Sequence, residues 1–366
     1  MSGQRPERAV TLAVSRGVLG AGMLVMPPVV IRLAHNYALL AWSYQLAVGG
    51  AVSLLLALSV RGEAVPMSLA SQAARVLGER AGWMVNAVFA VAFTSGQAAI
   101  AWFAAVSVTA GFDWPRWVAL AVALGVILAA LSVALSPLRL PPALLRARPW
   151  VTGLTAVACA LWVWPSGPMR AALSPAALGL GAGFWLAVLA LFFAGVGWEA
   201  VTQAVPGRGL SPGQVTRGVG LGVAVVAAAY LTIAALAGLR HTGPPASGWA
   251  RCGLGVIVAI VLTSYCFTNI RTASGIAARL RPAWRPTGFL TTAVGALCLG
   301  FCLLGYRDGG IPILLLGPTA AAVTAYTAGA VAVLRQGPSP LRALAAVVLL
   351  ALAAPVVLGV RALLPG

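Results

Sequence analysis

Glu199 is the one carboxylate of this 366-residue chain that lies well inside an apolar stretch. It follows two glycines in the sequence FWLAVLALFFAGVGWEAVTQAVPG, which begins at residue 184. A carboxylate in such surroundings can carry a proton, or it can pair with a cation such as the guanidinium of Arg16. Pairing with Arg16 is the favoured interpretation. It would keep Glu199 ionised and would give both residues a gating or coupling role.

The stretch that contains Arg16 is interrupted by glycine. VSRGVLGAGMLVMPPVV, residues 14–30, holds three glycines and two adjacent prolines. Glycine lowers helix stability by about 1 kcal/mol relative to alanine, and proline removes a backbone donor, so the sequence favours a break. The break would expose the amide N–H groups of Gly20, Ala21 and Gly22. With the positive end of the following half-helix, these groups would bind a carboxylate.

A second break is expected at Gly195 and Gly197, just before Glu199. There the freed carbonyl groups near Ala194, Gly195 and Val196 would accept hydrogen bonds from an ammonium group. A ligand that carries a carboxylate and an ammonium on one carbon is an α-amino acid. The alternative is that the glycines only allow helices to pack closely, as small residues do in membranes.

Polar side chains elsewhere in apolar stretches are weaker candidates for the same site. Ser95 lies in FTSGQAAIAWF, and Tyr265 and Asn269 are four residues apart, on one helix face. These groups either face a cavity or form hydrogen bonds between helices. No catalytic triad, paired carboxylates, phosphate loop or metal-ligand spacing is found in the sequence. We therefore expect no enzyme activity, no metal site and no cofactor.

The composition indicates a membrane protein. Hydrophobic residues make up 61% of the chain and charged residues only 8%, with a mean hydropathy of +0.96. Soluble domains carry about a quarter charged residues, which cover their surface. The net charge of +18 comes from arginines in short loops. That position is typical of contacts with anionic lipid and not of a nucleic-acid site.

Apolar stretches of about 20 residues predict eleven transmembrane helices. Seventeen of the 24 arginines then fall on the side of the N-terminus, which predicts a multi-pass protein of the cytoplasmic membrane with a cytoplasmic N-terminus. Between the second and third spans, Leu69, Ala73, Val76 and Leu77 have helical spacing and predict an amphipathic helix at the inner surface. The predicted spans are 9–34, 38–60, 81–110, 116–136, 150–165, 183–205, 214–239, 250–278, 287–305, 310–334 and 342–364.

The two predicted breaks occupy corresponding places, in the first and sixth spans. Because five spans separate them, the two segments cross the membrane in opposite directions. This arrangement is typical of inverted five-helix repeats, whose discontinuous helices meet at the midplane and form a solute site. The sequence thus predicts a single all-α transmembrane domain over 1–366. Its first repeat covers about 9–165, its second about 183–334, and a trailing helix covers about 342–364.

Three segments resemble the amino acid/polyamine/organocation (APC) superfamily of transporters, and within it small bacterial exporters of methionine and branched-chain amino acids. They are GVLGAGMLVMPP (17–28), FFAGVGWEAVTQAVP (192–206) and YCFTNIRTASGIAARL (265–280). The resemblance implies a LeuT-like fold, alternating access, and usually proton coupling or exchange. One departure is that the fifth span, 150–165, carries no charge, whereas the family often has a lysine there.

The predicted function is secondary active transport of a small neutral or hydrophobic amino acid or a similar metabolite, with export slightly favoured. The other partners are the lipid bilayer and, where transport is coupled, protons; no nucleic-acid partner is expected. A receptor subunit that senses an amino acid on the same fold is the alternative, and a channel is a weaker one. The sequence does not specify the oligomeric state.

Overall fold

The computed structural model describes residues 7–138, 141–162, 181–239, 247–281, 288–307 and 310–361, and the regular secondary structure of these residues is all helical. The ends of the predicted first repeat and of the trailing helix lie outside these residues. Fourteen α-helices follow one another in the described chain. They are α1 Glu7–Val18, α2 Gly22–Ala34, α3 Ala38–Ser59, α4 Leu69–Leu77, α5 Glu79–Thr109, α6 Arg116–Leu135, α7 Pro142–Trp162, α8 Ala182–Leu191, α9 Val201–Ala204, α10 Pro212–Leu239, α11 Gly248–Ala278, α12 Gly288–Gly305, α13 Gly310–Gln336 and α14 Ser339–Arg361.

Eight stretches of the described chain are long and apolar enough to cross a membrane. One of them joins α2 to α3 as Gly22–Ser59, and the others are in α5, α6 and α10 to α14. Three predicted spans do not qualify as separate stretches. They are the first, which corresponds to α1 together with α2, the fifth, which corresponds to α7, and the sixth, which contains α8. The first and last of these are short because the helix breaks there, and α7 carries two arginines in its first half.

The first break separates α1 from α2. Helix α1 ends at Val18, Leu19–Ala21 lie outside either helix, and α2 begins at Gly22. The adjacent prolines, Pro27 and Pro28, lie inside α2 and not at the break. The glycines therefore mark the break more accurately than the prolines do.

The second break follows α8. Turns cover the residues after Leu191, a short 3-10 helix covers Trp198–Ala200, and α9 adds four more residues. Gly197 has a φ of +130°, a conformation that side chains with a Cβ rarely adopt, so the turn requires glycine. The hydroxyl of Ser53 on α3 donates to the carbonyl of Trp198 at 2.7 Å and holds the segment in place.

The two breaks pack directly against each other. A methyl group added at Gly22 would lie 2.6 Å from the Cβ of Ala194, and one added at Gly17 would lie 2.5 Å from the carbonyl oxygen of Gly197. Real Cβ atoms essentially never come so close, so this contact depends on both glycines. Close helix packing and an open backbone, which are alternatives at the level of sequence, thus occur together here.

The amphipathic helix predicted between the second and third spans is present as α4. Ser68 caps its N-terminus by accepting a hydrogen bond from the amide of Ser71 at 3.1 Å. Leu69 and Ala73 are buried, and helix α4 packs against α5 and α13. The opposite face, with Arg75, is exposed.

Candidate functional site

A cavity of about 300 Å³ lies where the two breaks meet α5, α7 and α11, with one residue from α13. Its volume is at the lower end of the range for sites that bind small molecules. Phe93, Ile100 and Phe193 give it an apolar wall. Its polar and charged wall is formed by Arg16, Gln97, Arg148, Glu199, Tyr265 and Asn269.

Gly20, Ala21 and Gly22 line the cavity, as the position of the break predicts. Among the described residues, the N–H groups of these three donate to no acceptor. The last carbonyl of α1, that of Val18, accepts the hydroxyl of Tyr230 at 3.1 Å. The start of α2 therefore presents three free donors and the positive end of a helix dipole at one point of the wall.

The opposite wall is the break after α8. Ala194, Val196 and Gly197 line the cavity, and the carbonyl groups of Ala194 and Val196 accept no hydrogen bond from the part of the chain that the structure describes. Gly195 lies behind this wall, buried, and its carbonyl accepts the hydroxyl of Tyr326 at 2.6 Å. The backbone thus turns Gly195 away from the cavity, although it is among the predicted site residues.

Glu199 lines the cavity, but its partner is not Arg16. Its Oε2 accepts the amide N–H of Gly197 at 2.9 Å and lies 2.7 Å from the hydroxyl oxygen of Tyr326. Arg16 also lines the cavity, yet the ion pair found among the described residues joins Arg75 to Glu63. The predicted pairing of Glu199 with Arg16 is absent, since the turn at Gly197 folds the carboxylate back onto its own backbone and towards α13.

The hydroxyl of Tyr326 lies between two acceptors. Its oxygen is 2.6 Å from the carbonyl of Gly195 and 2.7 Å from the carboxyl of Glu199, and a phenol has one proton to donate. With Glu199 ionised, its Oε2 accepts from the Gly197 amide and from Tyr326, whose single proton is then divided between the carboxylate and the carbonyl of Gly195. With Glu199 protonated, Tyr326 would donate to the carbonyl of Gly195 alone.

Helices α5 and α11 supply polar side chains to the cavity wall. On α5, the residue in the wall is not the predicted one. Asn269 lines it and donates to the side-chain oxygen of Gln97 at 3.2 Å. Ser95 does not line it, because its hydroxyl bonds back to the carbonyl of Val91 and packs against Gly317 on α13. Gln97, two residues further along α5, replaces Ser95 in the wall. On an α-helix those two positions point about 200° apart.

Arg148 is the main site residue that the sequence did not reveal. Its guanidinium lies 4.1 Å above the ring of Tyr265, and one nitrogen donates to the carbonyl of Ser264 at 3.1 Å and to the hydroxyl of Thr268 at 3.0 Å. The hydroxyl oxygens of Tyr265 and Thr152 lie 3.0 Å apart and form a hydrogen bond. The predicted fifth span starts at residue 150, which would leave Arg148 in the loop before it. Helix α7 begins at Pro142, so Arg148 belongs to that helix and faces the cavity.

The charges in the cavity wall disfavour a divalent cation. No group of three or more His, Cys, Asp or Glu residues among the described residues is arranged to hold a metal ion. The polar wall of the cavity holds one carboxyl group against two guanidinium groups. Carboxylate and carbonyl oxygens are the usual ligands of Mg²⁺, Ca²⁺ and Mn²⁺, and neighbouring guanidinium groups repel such cations.

No family model matches the chain, and a search of curated proteins finds no relative. Solved structures do match it. A crystal structure of a single-residue variant of the Eremococcus coleocola manganese transporter has a TM-score of 0.63 at 11% identity and covers 97% of this chain and 87% of that one. A second variant of that transporter matches with a TM-score of 0.62 at 12% identity and covers the same fractions of the two chains. The complex of that transporter with an aromatic bis-isothiourea compound has a TM-score of 0.51 at 12% identity and covers 99% of this chain and 96% of that one.

Sequence identities this low show the fold alone. The matched transporter has a LeuT-like fold, and nearly the whole of this chain superposes on it. The predicted fold class is confirmed at this level, whereas the predicted membership of the APC superfamily is not tested by these matches. The chain is thus an all-α, multi-pass membrane protein with a LeuT-like fold.

Proposed function

We propose that the protein is a secondary active transporter of a small neutral amino acid with an apolar side chain. One observation carries the proposal: two helix breaks that contact each other also line a cavity in the helix bundle. Unpaired backbone groups are costly within a bilayer unless they line a protein cavity. Their retention here is explained by a ligand that they bind.

The chemistry of the wall favours an amino acid. Three free N–H groups at Gly20–Gly22 suit a carboxylate, and the free carbonyls of Ala194 and Val196 suit an ammonium group. Phe93, Ile100 and Phe193 leave an apolar surface for the side chain. The two arginines make Mn²⁺, the ion named for the matched transporter, a poor fit for this wall. The resemblance of three segments to APC exporters supports the same substrate class.

The proposal includes eleven passages arranged as two inverted five-helix repeats and a trailing helix, with the N-terminus in the cytoplasm. In that orientation the cavity opens inwards, because its exposed residues are Arg16 and Leu145. Arg16 belongs to α1, the cytoplasmic part of the broken first span, and Leu145 lies in the first turn of α7. On the outer side, the ring of Trp42 stacks on that of Tyr230 at 4.5 Å. The hydroxyl of Tyr230 in turn donates to the carbonyl of Val18, beside the first break.

Proton coupling through Glu199 is part of the proposal. In the inward-open arrangement, the hydroxyl of Tyr326 lies within hydrogen-bond distance of both Glu199 and the carbonyl of Gly195, and protonation of Glu199 would leave it to donate to Gly195 alone. Loss of the proton would let Tyr326 turn its hydroxyl to the carboxylate and release the carbonyl of Gly195. The hydrogen bond that ties α13 to the second break would then depend on the protonation of one residue. Such a dependence can couple proton movement to the opening of the site.

The test is an exchange assay in proteoliposomes. Vesicles are loaded with unlabelled leucine, methionine, alanine, aspartate, lysine or MnCl₂, and entry of labelled leucine or methionine is followed with and without a pH gradient. Saturable exchange among the neutral apolar amino acids supports the proposal. Binding without exchange would indicate a receptor, and flux that does not saturate would indicate a channel.

A further inference from the structure

A second cavity, of about 490 Å³, lies away from the site described above. It is enclosed by the end of α3, the helix α4, the first residue of α10 and the turn between α13 and α14. These elements all end or begin at one side of the bundle, which the orientation by arginines makes the cytoplasmic side. The cavity is therefore at the level where lipid head groups meet the protein.

The cavity combines a cationic rim with an apolar wall. Arg61 and Arg75, both exposed, contribute guanidinium groups, and Arg342 donates to the carbonyl of Gly337 in the wall at 2.7 Å. Glu63 is the carboxylate at this rim and pairs with Arg75 at 2.7 Å. Leu58, Val76, Val333 and Leu341 supply the apolar wall.

One polar group in the cavity has an unused acceptor. Gln72 is buried, and its amide nitrogen donates to the hydroxyl of Ser59 at 2.8 Å. Its Oε1 accepts no hydrogen bond from the described part of the chain. A buried acceptor without a donor is destabilising, so a ligand hydroxyl that reaches this oxygen would be stabilising.

We propose that this cavity binds an anionic phospholipid of the inner leaflet, with phosphatidylglycerol as the fitting chemistry. The phosphate would lie between Arg61 and Arg75, a glycerol hydroxyl would be near Gln72, and an acyl chain would follow the apolar wall. A soluble anion would use the guanidinium groups but would leave that wall uncovered. Basic pockets between transmembrane helices on the cytoplasmic side are suited to anionic head groups. This inference does not depend on the transported substrate.

The cavity is formed in part by a helix that also reaches the first site. Its wall includes the end of α13, whose Tyr326 contacts Glu199, together with α3 and α4. A lipid bound here would hold α13 against α4. We therefore expect phosphatidylglycerol to raise the thermal stability of the purified protein and phosphatidylcholine to have a smaller effect.

The test is native mass spectrometry and thermal unfolding of the purified full chain with phosphatidylglycerol, phosphatidylcholine or inorganic phosphate. The variants are Arg61→Gln with Arg75→Gln, the charge-retaining Arg61→Lys with Arg75→Lys, and Arg279→Gln, a matched loss of an exposed arginine at the end of α11. Each removed guanidinium should weaken lipid retention about fivefold.

Selective retention of phosphatidylglycerol by the wild type, its loss in the glutamine pair, and its recovery in the lysine pair support the site. Retention in Arg279→Gln completes that pattern. Equal retention in the glutamine pair and the wild type would overturn the proposal. Stabilisation by inorganic phosphate as strong as that by the lipid would also overturn it, because the occupant would then be a soluble anion.

Discussion

Replacing Glu199 with glutamine tests the proposed coupling. Glutamine keeps the size and polarity of the side chain beside Tyr326 and Gly197, but it neither binds nor releases a proton. If Glu199 carries the coupled proton, Glu199→Gln should still exchange substrate across the membrane. It should no longer use a pH gradient to accumulate substrate.

The magnitude follows from the energy of one proton. A gradient of one pH unit supplies about 1.36 kcal/mol per proton, which corresponds to a tenfold ratio of substrate concentrations. With one proton coupled per substrate, the wild type should reach up to about tenfold accumulation. The variant should stay near an equal concentration on both sides, with an exchange rate within a few-fold of the wild type.

The assay compares exchange and gradient-driven accumulation in the same proteoliposomes. Glu79→Gln is the matched control, because Glu79 is exposed at the start of α5 and away from the cavity. It should behave as the wild type in both measurements. Gradient-driven accumulation by Glu199→Gln at the wild-type level would refute the reasoning about Tyr326 and its single proton.

Three further predictions concern other parts of the site. Gly22→Ala would place a methyl group 2.6 Å from the Cβ of Ala194, so this variant should lose transport and about 1–3 kcal/mol of stability. The control Gly125→Ala, whose methyl group would meet nothing within 4 Å, should keep both, as transport and unfolding assays can check. Arg148→Gln removes the cation above Tyr265 and should raise the KM for amino acids about tenfold, measured by uptake. MnCl₂ should neither compete with amino-acid exchange nor raise the Tm, because the guanidinium groups of Arg16 and Arg148 in the cavity wall repel divalent cations.

The sequence predicted the positions of both helix breaks because glycine acts locally. A glycine cluster in an apolar stretch weakens the helix whatever surrounds it, and Gly197, with its φ of +130°, is a position that only glycine adopts easily. The alternation of apolar stretches also predicted the order of the helices. Each predicted span corresponds to one helix or to a broken pair of helices.

Contacts between distant helices could not be predicted in the same way. The partner of Glu199 is Tyr326, which is 127 residues away, and nothing in the sequence near either residue indicates the other. The position of Arg148 was misjudged because arginine is usually found at the membrane surface. In the structure, Tyr265 and Thr268 on α11 accommodate its charge within the bundle. The sequence also does not show which polar residue of α5 faces the cavity. Gln97 does and Ser95 does not, because the rotation of α5 depends on its packing against α11 and α13.

The central claim is that the two helix breaks hold the substrate between them. A cryo-EM structure of the protein in lipid nanodiscs with saturating leucine or methionine tests it most directly. We expect ligand density between Gly20–Gly22 and Ala194–Val196, with the carboxylate within about 3 Å of the α2 amides. Continuous helices through both segments, or ligand density outside this cavity, would contradict it.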